Sequence, residues 1–139
     1  MLQVPNVLLL CSNDAESSAL RETLVQVADL TPVRTLTELR ERSTVSPYDA
    51  LICGWSFHQT RWKDALEVIR IILGDVPVIF LSRSEDVDDW KAVLEAGGFD
   101  ALSPPFSKSQ TLAVLGQAVE SYEARGRYNG NLRTMARAS

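Results

Sequence analysis

The sequence predicts an α/β domain built on a five-stranded parallel sheet. Three unbroken apolar runs, at 7–11, 50–53 and 76–82, are typical of strands that are buried on both faces. Stretches with helical periodicity separate these runs, and helices of that length join parallel strands by right-handed crossovers. A chain of 139 residues without internal repeats fits one such domain.

The first strand is predicted at 7–11, in the middle of the sheet. Residues 12–18 then offer several N-cap side chains, and Asp14 and Glu16 are expected near the positive end of the first helix. Apolar residues at helical spacing continue through Ala28. The first helix is therefore expected to end at about 31–32.

A short second strand is predicted at 32–36. Arg34 inside it is typical of a strand at the edge of a sheet. Thr35 and Glu38 have the spacing of a capping box, which predicts a short second helix to about Arg42. The loop that follows leads to the third strand.

The third strand is predicted at 50–53 and is closed by Gly54. A polar and aromatic loop follows, and helical periodicity runs from about Arg61 to Leu73, where Gly74 ends the helix. In open α/β sheets the functional crevice lies beyond the carboxyl ends of such central strands. Gly54 is therefore expected at the functional edge of the sheet.

The last third of the chain completes the alternation of strands and helices. A fourth strand is predicted at 76–82, a helix at 84–98, and a short fifth strand at 99–103. A last helix is expected to begin after Ser107 as its N-cap. With the three apolar strands in the middle, the pattern predicts a flavodoxin-like sheet of order 2-1-3-4-5, covered by five helices in a three-layer sandwich.

Charge divides the chain into two parts. The formal net charge is −4, but residues 125–139 carry four arginines and no acid, so residues 1–124 carry ten bases against eighteen acids. We expect one domain at 1–124 and a basic tail or linker at 125–139. An acidic body argues against nucleic-acid binding by the globular part.

The lengths of the apolar runs, the N-terminal residues and the two cysteines lead us to expect a cytoplasmic protein without a cofactor. No apolar run reaches the roughly 18 residues of a membrane helix, and the N-terminus lacks the basic region of a secretion signal. Cys11 and Cys53 close apolar strands, so they are expected to be buried small residues rather than a redox or metal site.

Four motifs, in order and at the right separations, carry a resemblance to a known family. They are YDALI at 48–52, VPVIFLS at 76–82, VLEAGGFDAL at 93–102 and LSPPF at 102–106. Over about residues 4–124 the chain resembles the CheY-like receiver domain of response regulators in two-component signalling. Such domains take a phosphoryl group from a histidine kinase onto an aspartate that ends the third strand.

The resemblance assigns pocket positions that this chain fills with other residues. The acid pair that holds Mg²⁺ in the family falls on Cys11 and Ser12, the phosphoacceptor on Gly54, the switch hydroxyl on Ser82 and the lysine on Pro104. Only Ser82 keeps its residue type. Glycine offers no nucleophile, and the pocket positions supply neither a carboxylate cage for Mg²⁺ nor a lysine charge.

The sequence therefore predicts a degenerate receiver, or pseudo-receiver, that is not an enzyme. We expect a phosphorylation-independent interaction or regulatory module in a phosphorelay, with a histidine kinase or an effector domain as candidate protein partners. The resemblance also implies a homodimer through the face of the fourth helix, fifth strand and last helix. Two alternatives remain: an active response regulator phosphorylated on a substitute serine, Ser12 or Ser82, and a flavodoxin-like binder of a small ligand.

Four aromatic residues and one arginine, in the loops after the third and fourth predicted strands and on the helices that follow, are candidates for partner binding. They are Trp55, Phe57, Trp62, Arg83 and Trp90. Loop aromatics can anchor a protein contact, but Trp55 and Trp62 could instead fold back over the emptied pocket. Arg83 could plug the pocket or lie at the surface, and helix phase alone does not place Trp90. His58, the single histidine, is expected at the surface.

Overall fold

The computed structural model describes residues 4–25, 27–59, 61–82, 87–103 and 107–138, apart from the side chains at 87–90 and 125–138. It contains a five-stranded sheet of order β2-β1-β3-β4-β5, parallel at every described pairing, as the sequence predicts. The elements are β1 Asn6–Leu10, α1 Asp14–Leu24, β2 Asp29–Val33, α2 Leu36–Val45, β3 Ala50–Cys53, α3 Trp55–His58, α4 Trp62–Leu73, β4 Val78–Leu81, α5 Val87–Ala96, β5 Asp100–Leu102 and α6 Lys108–Ala138.

Two apolar layers sandwich the sheet. On one face, Leu8, Leu51 and Phe80 pack with side chains from α2, α4 and α5. On the other, Leu9 and Ile52 pack with side chains from α1 and α6. Because successive strand residues point to opposite faces, all four residues of β3 and of β4 are buried. The three-layer arrangement is the predicted one.

The second strand begins three residues earlier than predicted. α1 ends at Leu24, and β2 pairs with β1 from Asn6–Asp29 to Leu10–Val33. Pro32 is tolerated in this strand because β2 lies at the sheet edge, where one side needs no ladder partner. The predicted strand at 32–36 was therefore displaced, and the apolar residues assigned to the end of the first helix lead into β2 instead.

The helix boundaries near β2 follow local hydrogen bonds. Thr35 Oγ1 accepts from the Glu38 N–H at 3.2 Å, which confirms Thr35 as the N-cap of α2. The Glu38 carboxylate accepts from the N–H of Arg34 at 3.2 Å rather than from that of Thr35. Arg34 lies beyond the strand and pairs with Asp14 at 2.7 Å, with both side chains largely exposed.

A sixth helix, α3, interrupts the loop after Gly54. This single turn ends at Gln59, which adopts the left-handed conformation at φ 46°. α4 then runs to Gly74, whose positive φ of 71° closes it as the sequence predicts. The five helices of the prediction are thus present, with α3 in addition.

The last helix is long. Ser107 Oγ accepts from the Gln110 N–H at 3.3 Å, in agreement with its predicted capping role. The helical backbone of α6 continues through Ala138, across the segment expected as a tail or linker. The domain boundary near residue 124 stays a prediction. In the described part of the chain, none of the helices combines the length and the apolar character needed to cross a membrane.

Candidate functional site

The predicted pocket positions meet at the carboxyl edge of the sheet. Cys11 follows β1, Gly54 follows β3 and Ser82 follows β4, and all three residues are buried. The Gly54 N–H donates to the Leu10 carbonyl at 2.8 Å, and the Ser82 N–H donates to the Leu102 carbonyl at 2.7 Å. Parallel pairing therefore brings these residues to the same edge of the sheet.

The other pocket and partner positions are only partly described. Ser12 is exposed at the rim. Pro104 and Arg83 lie outside the described residues, as does the side chain of Trp90. Their predicted roles therefore stay predictions.

A carboxylate from the first turn of α1 enters this pocket. Glu16, on the first turn of α1, is half-buried. Its Oε2 accepts from the Trp55 N–H at 2.8 Å. Its Oε1 accepts from the Ser56 Oγ–H at 2.7 Å and from the Ser56 N–H at 3.3 Å. Three donors from α3 thus hold one carboxylate of α1.

Ser56 extends this network to the loop after β1. Its Oγ accepts from the Ser12 N–H at 2.9 Å and from the Asn13 N–H at 3.2 Å while it donates to Glu16. The N-cap of α1 is Asn13, whose Oδ1 accepts from the Ala15 N–H at 2.7 Å. Glu16 thus lies in the first turn of α1, as the sequence predicts, while its carboxylate turns inward to α3.

Glycine at position 54 fits this arrangement sterically. A Cβ atom there would overlap the Glu16 Oε1 atom and would lie 2.5 Å from Cys11 Sγ. Yet the backbone of Gly54 is extended, at φ −71° and ψ 152°, so its conformation would suit any residue. The constraint on Gly54 is thus space that the Glu16 carboxylate and the Cys11 thiol already fill.

Both cysteines are buried and face opposite layers of the core, as expected for small apolar residues. Burial raises the pKa of the Cys11 thiol far above its usual range, and the charge of Glu16 adds to this. Burial, followed by the charges of Cys11 and Glu16, also raises the pKa of Cys53. Neither thiol is thereby activated as a nucleophile.

His58 lies in the core, so the expectation of a surface histidine was wrong. Its side chain is 2% exposed, and its Nε2–H donates to the Leu81 carbonyl at 2.6 Å. The ring centroid lies 4.1 Å from that of Trp62 and 5.4 Å from that of Phe80. The extra helical turn of α3 is the reason, because it directs this ring toward β4 instead of into solvent.

The aromatic candidates divide into core and rim. Trp62 is 8% exposed and packs edge-on against Phe80, so it is a core residue in this conformation rather than an exposed contact residue. Apart from its two chain neighbours, the atoms nearest to a Cβ at Gly54 belong to Glu16 and Cys11, so Trp62 is not what fills the space there. Trp55 and Phe57 are half-buried and retain some accessible surface.

The described part of the pocket contains one carboxylate, that of Glu16, and local hydrogen bonds hold it in place. Within the described ranges, no group of three or more His, Cys, Asp or Glu side chains is arranged to hold a metal ion. Since both Glu16 oxygens already accept hydrogen bonds, the carboxylate is oriented as an acceptor of local donors. The arrangement favours a structural role for this acid.

Comparison with solved structures places the chain in the receiver-domain, CheY-like fold. A receiver domain of an HD-domain protein from Pseudomonas fluorescens Pf-5 is 21% identical with a TM-score of 0.71, covering 88% of this chain and 99% of that chain. A response-regulator receiver domain from Clostridium thermocellum is 18% identical with a TM-score of 0.72, covering 87% and 98%.

A third similar structure is the receiver domain of a sensor histidine kinase from Pseudomonas aeruginosa PAO1, solved with a magnesium ion in its active-site cleft. It is 21% identical with a TM-score of 0.67, covering 85% of this chain and 99% of that chain. No protein-family model and no curated protein matches the sequence. At these identities the likeness establishes the fold.

Proposed function

We propose that this domain is a pseudo-receiver, a module of two-component signalling that binds protein partners without accepting a phosphoryl group. The receiver fold supports the signalling context. The filled space at Gly54 carries the second half of the proposal, because a carboxylate from α1 lies where an acceptor side chain would begin.

Glu16 is itself a carboxylate, so its fitness as a substitute acceptor matters. Its two oxygens accept three hydrogen bonds, which lowers the availability of their lone pairs for attack on phosphorus. The positions that hold Mg²⁺ in the family are Cys11 and Ser12, a raised-pKa thiol and a hydroxyl, which are poor ligands for this hard cation. These features favour a structural carboxylate over a reacting one.

The proposed interaction surface is the face formed by α5, β5 and α6. In the receiver family this face commonly carries dimer and partner contacts, and here it presents Leu94, which is 39% exposed on α5. We propose a histidine kinase, an effector domain or a second copy of the chain as the partner, in the cytoplasm. The acidic body makes a nucleic-acid partner unfavourable.

The decisive experiment is intact-mass analysis after incubation with acetyl phosphate and Mg²⁺, with a catalytically active receiver domain as positive control. We expect no added phosphoryl mass on the wild-type protein. A phosphoryl group lost in Glu16→Gln would identify Glu16 as an acceptor and overturn the proposal. Phosphate mapped to Ser12 or Ser82 after incubation with a kinase would support the active-regulator alternative instead.

Self-association is tested separately by light scattering on the eluting protein. If the α5–β5–α6 face forms a homodimer, Leu94→Glu should shift the mass toward the monomer while leaving the melting temperature nearly unchanged, because the side chain is exposed. Val45→Glu, on α2 and 76% exposed, is the matched control on another face. A coloured protein on purification would favour the small-ligand alternative.

A further inference from the structure

We infer that Glu16 is a built-in ligand of the pocket, which holds the loop after β1 and the start of α3 in one arrangement without phosphate or metal. We call the Glu16 carboxylate, with the Trp55 and Ser56 groups that donate to it, the Glu16 lock. The inference concerns conformational control and does not depend on which partner the domain binds.

The Glu16 lock joins distant parts of the chain. Glu16 is separated from Trp55 and Ser56 by 39 and 40 positions in sequence. Ser56 Oγ also accepts from the N–H groups of Ser12 and Asn13. One hydroxyl on α3 therefore binds both the loop after β1 and the Glu16 carboxylate. Releasing the carboxylate would remove three of these bonds and free the hydroxyl to rotate.

Tertiary contacts hold α3 at both ends. The Glu16 lock binds its first two residues, while His58 at its last position donates to the Leu81 carbonyl at 2.6 Å. A four-residue helix has too few internal hydrogen bonds to persist alone. These tertiary contacts therefore set the position of α3, and with it the approach to α4 through Trp62.

The charge of the Glu16 carboxylate strengthens the hydrogen bonds of the Glu16 lock. Hydrogen bonds to an ionised carboxylate are shorter and roughly twice as strong as those between neutral groups. The half-buried position of Glu16 limits competition from water. By contrast, Asp14 on the same helix turn forms a largely exposed ion pair, which solvent and salt weaken. Of the two acids, Glu16 is thus the one placed to fix the pocket.

The test is residue-resolved amide hydrogen exchange on the wild-type domain and three variants. In Glu16→Ala we expect exchange at the Trp55 and Ser56 amides to accelerate at least tenfold, since charged hydrogen bonds are lost there. In Ser56→Ala the amides of Ser12 and Asn13 should accelerate in the same way. Glu22→Ala, exposed on α1, should leave all four rates unchanged.

Two results would overturn the inference. One is unchanged exchange at these four amides in both Glu16→Ala and Ser56→Ala. The other is an equal acceleration at Leu51 and Ile79 in the core, because it would indicate global destabilisation rather than local release. If Glu16→Ala does not fold, Ser56→Ala decides alone. Since the exchange experiment uses neither a phosphodonor nor a partner, a failure here is distinct from a failure of the pseudo-receiver proposal.

Discussion

Adding one methyl group at Gly54 tests the packing of the pocket most simply. The Cβ of Gly54→Ala would overlap Glu16 Oε1 and lie 2.5 Å from Cys11 Sγ. The extended backbone at φ −71° imposes no conformational penalty on alanine. A loss of stability would therefore report the filled space and any displacement of Glu16, and not backbone strain.

The expected magnitude follows from opposing terms. Alanine restricts the unfolded chain and by itself would stabilise the protein by about 0.4–1 kcal/mol. Overpacking a filled site costs about 1–3 kcal/mol, and displacement of Glu16 would add the loss of charged hydrogen bonds at about 1.5–3 kcal/mol. Together these terms give a net destabilisation of about 1.5–5.5 kcal/mol, which lowers the melting temperature by roughly 5–16 °C at about 3 °C per kcal/mol.

The assay is urea denaturation followed by circular dichroism, supported by thermal melts. Gly116→Ala in α6 is the matched control, because its added methyl group would meet no atom within 4 Å beyond its chain neighbours and the backbone of its own helix, and helical alanine should gain about 0.5–1 kcal/mol. In the Glu16→Ala background, Gly54→Ala should cost clearly less than in the wild type. Equal stability of the Gly54→Ala and Gly116→Ala proteins would refute the argument.

Three further predictions concern stability. Replacing His58 by alanine removes a buried ring and its hydrogen bond to β4, and should cost about 2–4 kcal/mol in urea melts; an unchanged midpoint would contradict the core placement. Because burial raises the pKa of Cys11 and Cys53, their contribution is complete below the ordinary thiol pKa of 9.0 and is lost as pH rises above it. The wild type should therefore lose stability above that pH more steeply than the double alanine variant, and equal slopes would be inconsistent with buried thiols. Asp14→Ala should change stability by less than about 1 kcal/mol, whereas Glu16→Ala should cost about 2–4 kcal/mol; a reversed order would refute the assignment of the inward acid.

The sheet was predictable because central parallel strands leave an unambiguous apolar signature. The runs ending at Cys11 and Cys53 and the run through Leu81 indicated β1, β3 and β4 and their place at the centre. The edge strand was predicted three residues too late along the chain. Pro32 and Arg34 interrupt the alternation of apolar and polar residues there, and the apolar residues before them have the spacing of a helix. In the structure, pairing with β1 decides its position.

The pocket positions were predictable from motifs, whereas the contents of the pocket were not. The receiver pattern located Cys11, Gly54 and Ser82 but carried no information about which side chain fills the space beside a glycine. One signal did exist: Glu16 precedes Leu20 and Leu24 at steps of four, so it shares the inward face of α1. An acid on that face needs hydrogen-bond donors, which α3 supplies.

His58 shows the limit of residue statistics. A lone histidine in a polar loop is usually exposed, and the sequence offered no apolar period around it. The single helical turn from Trp55 to His58 reverses that expectation, because it aims the ring at the aromatic side chains of Trp62 and Phe80. A turn of this length has too few residues to produce a recognisable helical pattern.

The most direct test of the pseudo-receiver proposal is a structure of the domain determined with Mg²⁺ and beryllofluoride, supported by a calorimetric titration of both. We predict no saturable heat and an unchanged pocket, with the Glu16 carboxylate still bound by the N–H groups of Trp55 and Ser56. A magnesium ion or a beryllofluoride group bound among Ser12, Gly54 and Ser82, with Glu16 displaced, would contradict the proposal.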